Sequence, residues 1–130
     1  MPLLPGVWAV NVNGMRGELS LDTPSPQGDV TGTLLGQRID GFWNESSQRI
    51  TFSVMQDNLP VGVLPPVRVY QGYLFSTPPL SPPGQDVLWT LAGVVTAGVS
   101  RVNLAAVNDG ITPTTRRHEF GWFAQITQVM

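Results

Sequence analysis

The residues able to do chemistry are few, and their densest group is "RRHEFGWFAQIT", residues 116 to 127. There His118, the chain's only histidine, stands beside Glu119. Histidine next to a carboxylate is raw material for a general-base dyad, but a dyad needs the base within hydrogen-bond reach of the group it serves. In extended chain, successive side chains point to opposite faces, so such neighbours do not meet. The sequence also holds no G-x-S-x-G and no second histidine from which to build a hydrolase triad. The pair is therefore expected to mark a boundary, with a polar loop ending at His118 and the last strand beginning.

Arg68 and Tyr70, in "PVRVYQGYLFS", are a second candidate. If both face inward they form an anion-recognising edge, because a buried guanidinium needs a partner. Alternation of polarity prefers the opposite assignment: Val67, Val69, Gln71, Tyr73 and Phe75 inside, Arg68, Tyr70, Gly72 and Leu74 outside. Carboxylates are sparse. Asp40 and Glu45 flank "GFWN", and Asp57 and Asp86 fall in loops. Spacing alone makes no glycosidase pair of them, and "NDG" at 108–110 is a turn signal without the alternate ligands of a calcium loop. No metal site and no cofactor are expected.

The four tryptophans, Trp8, Trp43, Trp89 and Trp122, are more informative, because each shares parity with apolar neighbours. They either fill a core, each aromatic burying about 150–250 Å², or wall a pocket for a small apolar ligand. Trp8 reads as a plug closing one end of the fold. The ligand-wall reading names Trp43, Tyr70, Trp89 and Trp122.

The elements that must position these residues follow a period of two. Trp8, Val10 and Val12 alternate with Ala9, Asn11 and Asn13, and Leu19 and Leu21 with Glu18 and Ser20. In "RITFSV", Ile50, Phe52 and Val54 alternate with Thr51 and Ser53. This is the pattern of half-buried strands. Asn13-Gly14 is the dipeptide favoured in type I′ hairpin turns, and Gly36 divides "VTGTLLGQRIDGFW" into two strands. Eight strands are predicted near 6–12, 17–22, 29–35, 37–44, 48–56, 67–76, 86–96 and 119–128, with no long helix. Two long connections remain, "DNLPVGVLPP" and residues 97–118, the latter containing "SRVNLAAV", which fits one helical turn or an edge strand. "STPPLSPPGQD" reads as a stiff arch.

Eight sequential strands with short turns predict an all-β fold, an antiparallel up-and-down barrel over residues 1–130 as one domain, with a β-sandwich as the alternative. Closing the sheet removes the two edges that an open one exposes to other chains. Gly32, Gly41 and Gly72 fit positions where strands coil sharply or pack closely.

Composition limits the function classes. Hydrophobic residues make up 42% and charged residues 12%, enough to build a core and too apolar for intrinsic disorder. A net charge of −2 gives no footprint for nucleic acid or an anionic membrane. The chain has neither cysteine nor lysine, which excludes disulfides, thiolate catalysis, Schiff bases and a GxxxxGK loop. The opening "MPLLPGVWAV" lacks the pattern of a signal peptide, and no apolar run is long enough to span a membrane, so a soluble protein is expected.

The order of short motifs resembles avidin-like and lipocalin-like barrels. "GVW" is similar to the G-x-W opening of those families, and "GDVTGTL" to the avidin third strand. "GFW", "ITFSV", "YQGYLF", "LWTLAG" and "HEFGWFAQI" follow in the order of avidin strands four to eight. The resemblance implies an eight-stranded meander barrel. It places Trp89 and Tyr70 at aromatic ligand-wall positions, Tyr70 inside the barrel, Arg68 at its mouth, and Glu119 near a ring-binding aspartate. Other biotin-binding positions are not retained. Val10 stands where the family has asparagine, Leu34 and Gly36 where it has tyrosine and serine, and "ITFSVM" lacks the tryptophan at the end of strand five. Three missing partners at about 1–3 kcal/mol each imply no tight biotin binding.

Two expectations result. The first is a non-enzymatic barrel holding a small, mainly apolar ligand. The second is a structural or protein-interaction module with a filled core that forms homo-oligomers through outward apolar positions, for which Leu35, Phe42, Leu74 and Phe123 qualify.

Overall fold

In the computed structural model, which describes residues 2–55, 67–77, 86–101 and 114–128, the chain forms eight antiparallel strands closed into a barrel. They are β1 (Gly6–Val12), β2 (Met15–Leu21), β3 (Asp29–Leu34), β4 (Gln37–Asn44), β5 (Arg49–Val54), β6 (Val67–Thr77), β7 (Val87–Arg101) and β8 (Thr114–Gln128). Each strand pairs with the next in sequence, and β8 returns to β1 through Val10 opposite Ala124 and Val12 opposite Trp122. Among the described residues no helix is long and apolar enough to cross a membrane.

The turn chemistry read from the sequence produces the tight hairpins. Asn13 and Gly14 both have positive φ, as a two-residue type I′ turn requires, and the Asn11 side chain accepts a hydrogen bond from the Gly14 amide at 2.8 Å. Leu35-Gly36 repeats the geometry between β3 and β4, with a leucine at φ 52°. That left-handed conformation crowds a Cβ and costs roughly 1–2 kcal/mol. The side chain of Leu35 lies over Gly17, where any added Cβ would collide with it.

Alternation then decides what is inside. Trp8, Leu19, Leu34, Ile50, Phe52, Leu91 and Val95 are buried, while their strand neighbours Ala9, Glu18 and Val94 face outward. One hydrogen-bonded row runs Trp43, Ile50, Gly72, Gly93, Trp122, Val12 across six strands. It starts near the end of β4 at one mouth of the barrel and finishes at the end of β1 at the other. Strands tilted to the barrel axis give such a climbing row.

Three readings are corrected. Strand β8 starts at Thr114, not 119, and β7 continues to Arg101, so the two pair well beyond the point where β6 stops, down to Arg101 opposite Thr114. The backbone ladder of this projecting hairpin does not depend on apolar alternation, which is why "TTRRH" reads as loop. His118 therefore lies inside β8, opposite Ala97, and is not a strand boundary. On β6 the faces are reversed from the alternation reading. Tyr70, Gly72 and Leu74 point inward and Gln71, Tyr73 and Phe75 outward, as the resemblance implied, so Leu74 is a core residue and not part of an outer apolar face. The 56–66 connection, the arch at 78–85 and the residues 102–113 that include "NLAAV" lie outside the described residues.

Candidate functional site

Of the four residues named as a ligand wall, Tyr70 and Trp122 are in ring contact, while Trp43, near the end of β4, and Trp89, near the start of β7, lie toward the other end of the barrel. Tyr70 and Trp122 meet inside the barrel with ring centroids 5.7 Å apart and planes at 76°. Phe52 joins them, stacked on Tyr70 at 4.8 Å and edge-on to Trp122 at 5.6 Å. Ring pairs at these separations attract beyond their buried area, by about 0.5–1.5 kcal/mol each. Burial pushes the Tyr70 phenol above its ordinary pKa, against the opposing pull of the Arg68 guanidinium. Arg68 itself is exposed, on the inward parity of β6 near its start. Phe52 was legible as an inward residue of "ITFSV", but nothing in its spacing marked it as the third member of an aromatic cluster.

Trp89 lies toward the opposite end, where its indole N–H donates to the Gln128 side-chain carbonyl at 3.0 Å. Trp8 is fully buried near the same end and donates to the Leu4 carbonyl at 3.1 Å, tying the N-terminal segment across the barrel mouth. Trp43 is held by its own strand end, its Nε1 donating to the Glu45 carboxylate at 2.6 Å. Each indole is thus both core and fixed in orientation, because a buried N–H without an acceptor is costly.

Trp43 also borders a cleft of about 900 Å³ at this end of the barrel. Residues 2–5 form one side, the 23–28 segment another, and Phe42 to Glu45 the floor. Four prolines, Pro2, Pro5, Pro24 and Pro26, stiffen its rim. A concave, largely apolar space with a few polar groups is what a small-molecule site looks like. Sequence reasoning treated these prolines as punctuation only. Their bracketing of two segments that meet at one barrel end was the available signal.

A second feature lies on the outer wall. Arg49 and Thr51 share the outward face of β5. The Nε of Arg49 and the Oγ1 of Thr51 are buried polar atoms with no hydrogen-bond partner. An unpaired buried group of this kind costs about 1–3 kcal/mol. Phe42 pairs with Thr51 on one side and Tyr73 with Arg49 on the other, and both rings are about half exposed, at 49% and 48%. Among the described residues no group of three or more histidines or carboxylates is placed to hold a metal ion.

Comparison with protein-family models, with curated proteins and with solved structures finds no match to this chain.

Proposed function

We propose that the protein is a non-enzymatic binding barrel that takes a small, mainly apolar ligand in the end cleft, against Trp43, while Phe52, Tyr70 and Trp122 serve as packed interior. The observation that carries this reading is the cleft itself. Its volume of about 900 Å³ falls within the range of small-molecule sites, and Leu3, Leu4, Phe42 and Trp43 supply apolar lining beside the single carboxylate of Glu45. Tryptophan fluorescence during a screen of small apolar metabolites tests it. A saturable change that is lost in Trp43→Phe and kept in Trp89→Phe supports the cleft. A change that survives Trp43→Phe but is lost in Trp122→Phe moves the ligand into the barrel interior and overturns this placement.

A second reading, an interaction module that forms homo-oligomers, is favoured by one observation. Tyr73, Phe75, Val94 and Phe123 are exposed on the outer faces of β6, β7 and β8, with Tyr73 and Phe123 both opposite Ala92. Patches of this kind mark contact surfaces. Light scattering that gives a multiple of the 14.1 kDa chain mass, reduced to the monomer by Phe123→Glu, would establish it.

A further inference from the structure

Strand β8 outruns its partner on one side. Its ladder with β7 runs from Gln128 back to Thr114. Its ladder with β1 ends at Val12 opposite Trp122, with one further bond from the Asn13 amide to the Gly121 carbonyl at 3.1 Å. From Thr114 to His118, no described residue pairs with β8 on the side away from β7. In an antiparallel ladder the backbone groups of alternate residues point to opposite sides. The Gly121 carbonyl points toward β1, so the amides and carbonyls of Thr115 and Arg117 point to that side too, past the end of β1. An open edge of this kind is a template for one more strand.

The charges at this mouth select the strand. Odd-numbered strands end here and even-numbered strands begin, opposite the mouth that carries the cleft. Register brings Arg68 into line with Ala97 and His118, and it places Arg101, Arg116 and Arg117 along the projecting hairpin. Arg16 and Arg38 are also at this mouth, but each has a carboxylate two residues on in its own strand, Glu18 and Asp40. Near the other four arginines, the described part of β6–β8 holds one acidic residue, Glu119. Counting Asp57 and Asp109 in the adjoining connections still leaves arginine in excess, in a chain whose net charge is −2. A second copy is a poor occupant, since antiparallel pairing of two such edges sets arginine against arginine. A nucleic acid matches half of the edge, because its phosphates accept hydrogen bonds but donate none to the carbonyls of Thr115 and Arg117. An extended peptide supplies donors and acceptors alike, and acidic side chains on it answer the arginines.

We propose that the edge of β8 from Thr114 to His118 binds an acidic, extended segment of a partner protein as an added strand. The segment's amides and carbonyls pair with those of Thr115 and Arg117, and its carboxylates are drawn to the arginines of this mouth. The edge lies at the opposite mouth from the end cleft and shares no residue with it.

Amide hydrogen exchange, read residue by residue in ¹H–¹⁵N spectra of the intact chain, tests this. The probe is a capped peptide of alternating glutamate and valine. At saturation it is expected to slow exchange at Thr115 and Arg117 by about ten-fold or more, and to leave Arg116 and His118, whose amides face β7, unchanged. Glutamine in place of each peptide glutamate, or the double substitution Arg116→Gln and Arg117→Gln, should weaken binding several-fold, and added salt should do the same. Polyacrylate of equal charge has no amides and should give no protection. Trp43→Phe should leave the peptide response unchanged, so this edge and the end cleft fail independently. Absence of protection by the peptide on the native protein overturns the proposal, whatever the variants do. So does equal protection by polyacrylate or by a single-stranded oligonucleotide, which marks a general anion patch. Protection of Thr115 and Arg117 in the free protein overturns it as well. If that protection follows protein concentration, the occupant is a second copy; if it does not, the chain covers its own edge.

Discussion

The indole of Trp122 lies across Gly72. A Cβ added to Gly72 would come within 2.7 Å of Trp122 Cζ2, and the indole N–H reaches over β7 to the carbonyls of Gln71 at 3.1 Å and Val94 at 3.2 Å. Gly72 and Gly93 are opposite each other, so two missing side chains leave the slot that one large ring fills. Because the ring is fixed by both hydrogen bonds and by Phe52 and Tyr70, it cannot swing away cheaply.

Gly72→Ala is therefore expected to destabilise the barrel by about 1–3 kcal/mol, the usual cost of overpacking. The measurement is the denaturant midpoint. Pairing it with Trp122→Phe should recover part of the loss, since the smaller ring removes the clashing carbon. Full additivity of the two substitutions would refute the contact.

On β6 the inside and outside residues are adjacent and can be compared directly. Leu74 is 9% exposed and Tyr73 is 48% exposed. Leu74→Ala should cost about 2–5 kcal/mol, while Tyr73→Ala should stay within about 1 kcal/mol. The reverse order would mean that the strand faces are exchanged.

Leu35 occupies the first position of a turn that asks for positive φ and is satisfied more cheaply by asparagine. Leu35→Asn should raise stability by up to about 1 kcal/mol, relief of backbone crowding exceeding the lost contact over Gly17. Urea denaturation of the two proteins decides it. A loss of stability would show that the leucine packing dominates.

Tyr70 makes the fold sensitive to alkali. Its folded pKa is raised, first by burial and against Arg68. The folded state then holds the phenol proton longer than the unfolded chain does. The stabilisation is complete below the unfolded value, near 10, and is lost as pH rises from there through the folded pKa. Stability measured from pH 9 to 12 should fall, and Tyr70→Phe should flatten part of that fall. Identical slopes for the two proteins would rule out Tyr70 as the source.

Most of the fold was legible because it rests on local signals. Asn13-Gly14 and Gly36 punctuate hairpins through their backbone freedom, and β1, β2 and β5 alternate cleanly. Strand β6 was not legible by alternation, since it has apolar residues at both parities: Tyr73 and Phe75 outside against Tyr70 and Leu74 inside. The continuation of β8 back to Thr114 was hidden for another reason, because a two-stranded ladder is held by backbone groups whatever the side chains are. The candidate site divided for lack of height information. Parity puts Trp43, Tyr70, Trp89 and Trp122 on one side of the wall, but only the stagger between strands says that Trp43 and Trp122 lie toward opposite mouths.

The pairing of β1 with β8 also has a kinetic consequence. Ala9 to Val12 meet Trp122 to Gln125, contacts between the two extremes of the chain, whereas every other ladder joins strands adjacent in sequence. Loop-closure entropy therefore delays this seam to the end of folding, after a curled meander has already formed. Until it zips, Val7 to Val12 and Gly121 to Ile126 stay unzipped and sticky, so refolding at high protein concentration should trade monomer recovery for precipitation in proportion to how slowly that last step occurs.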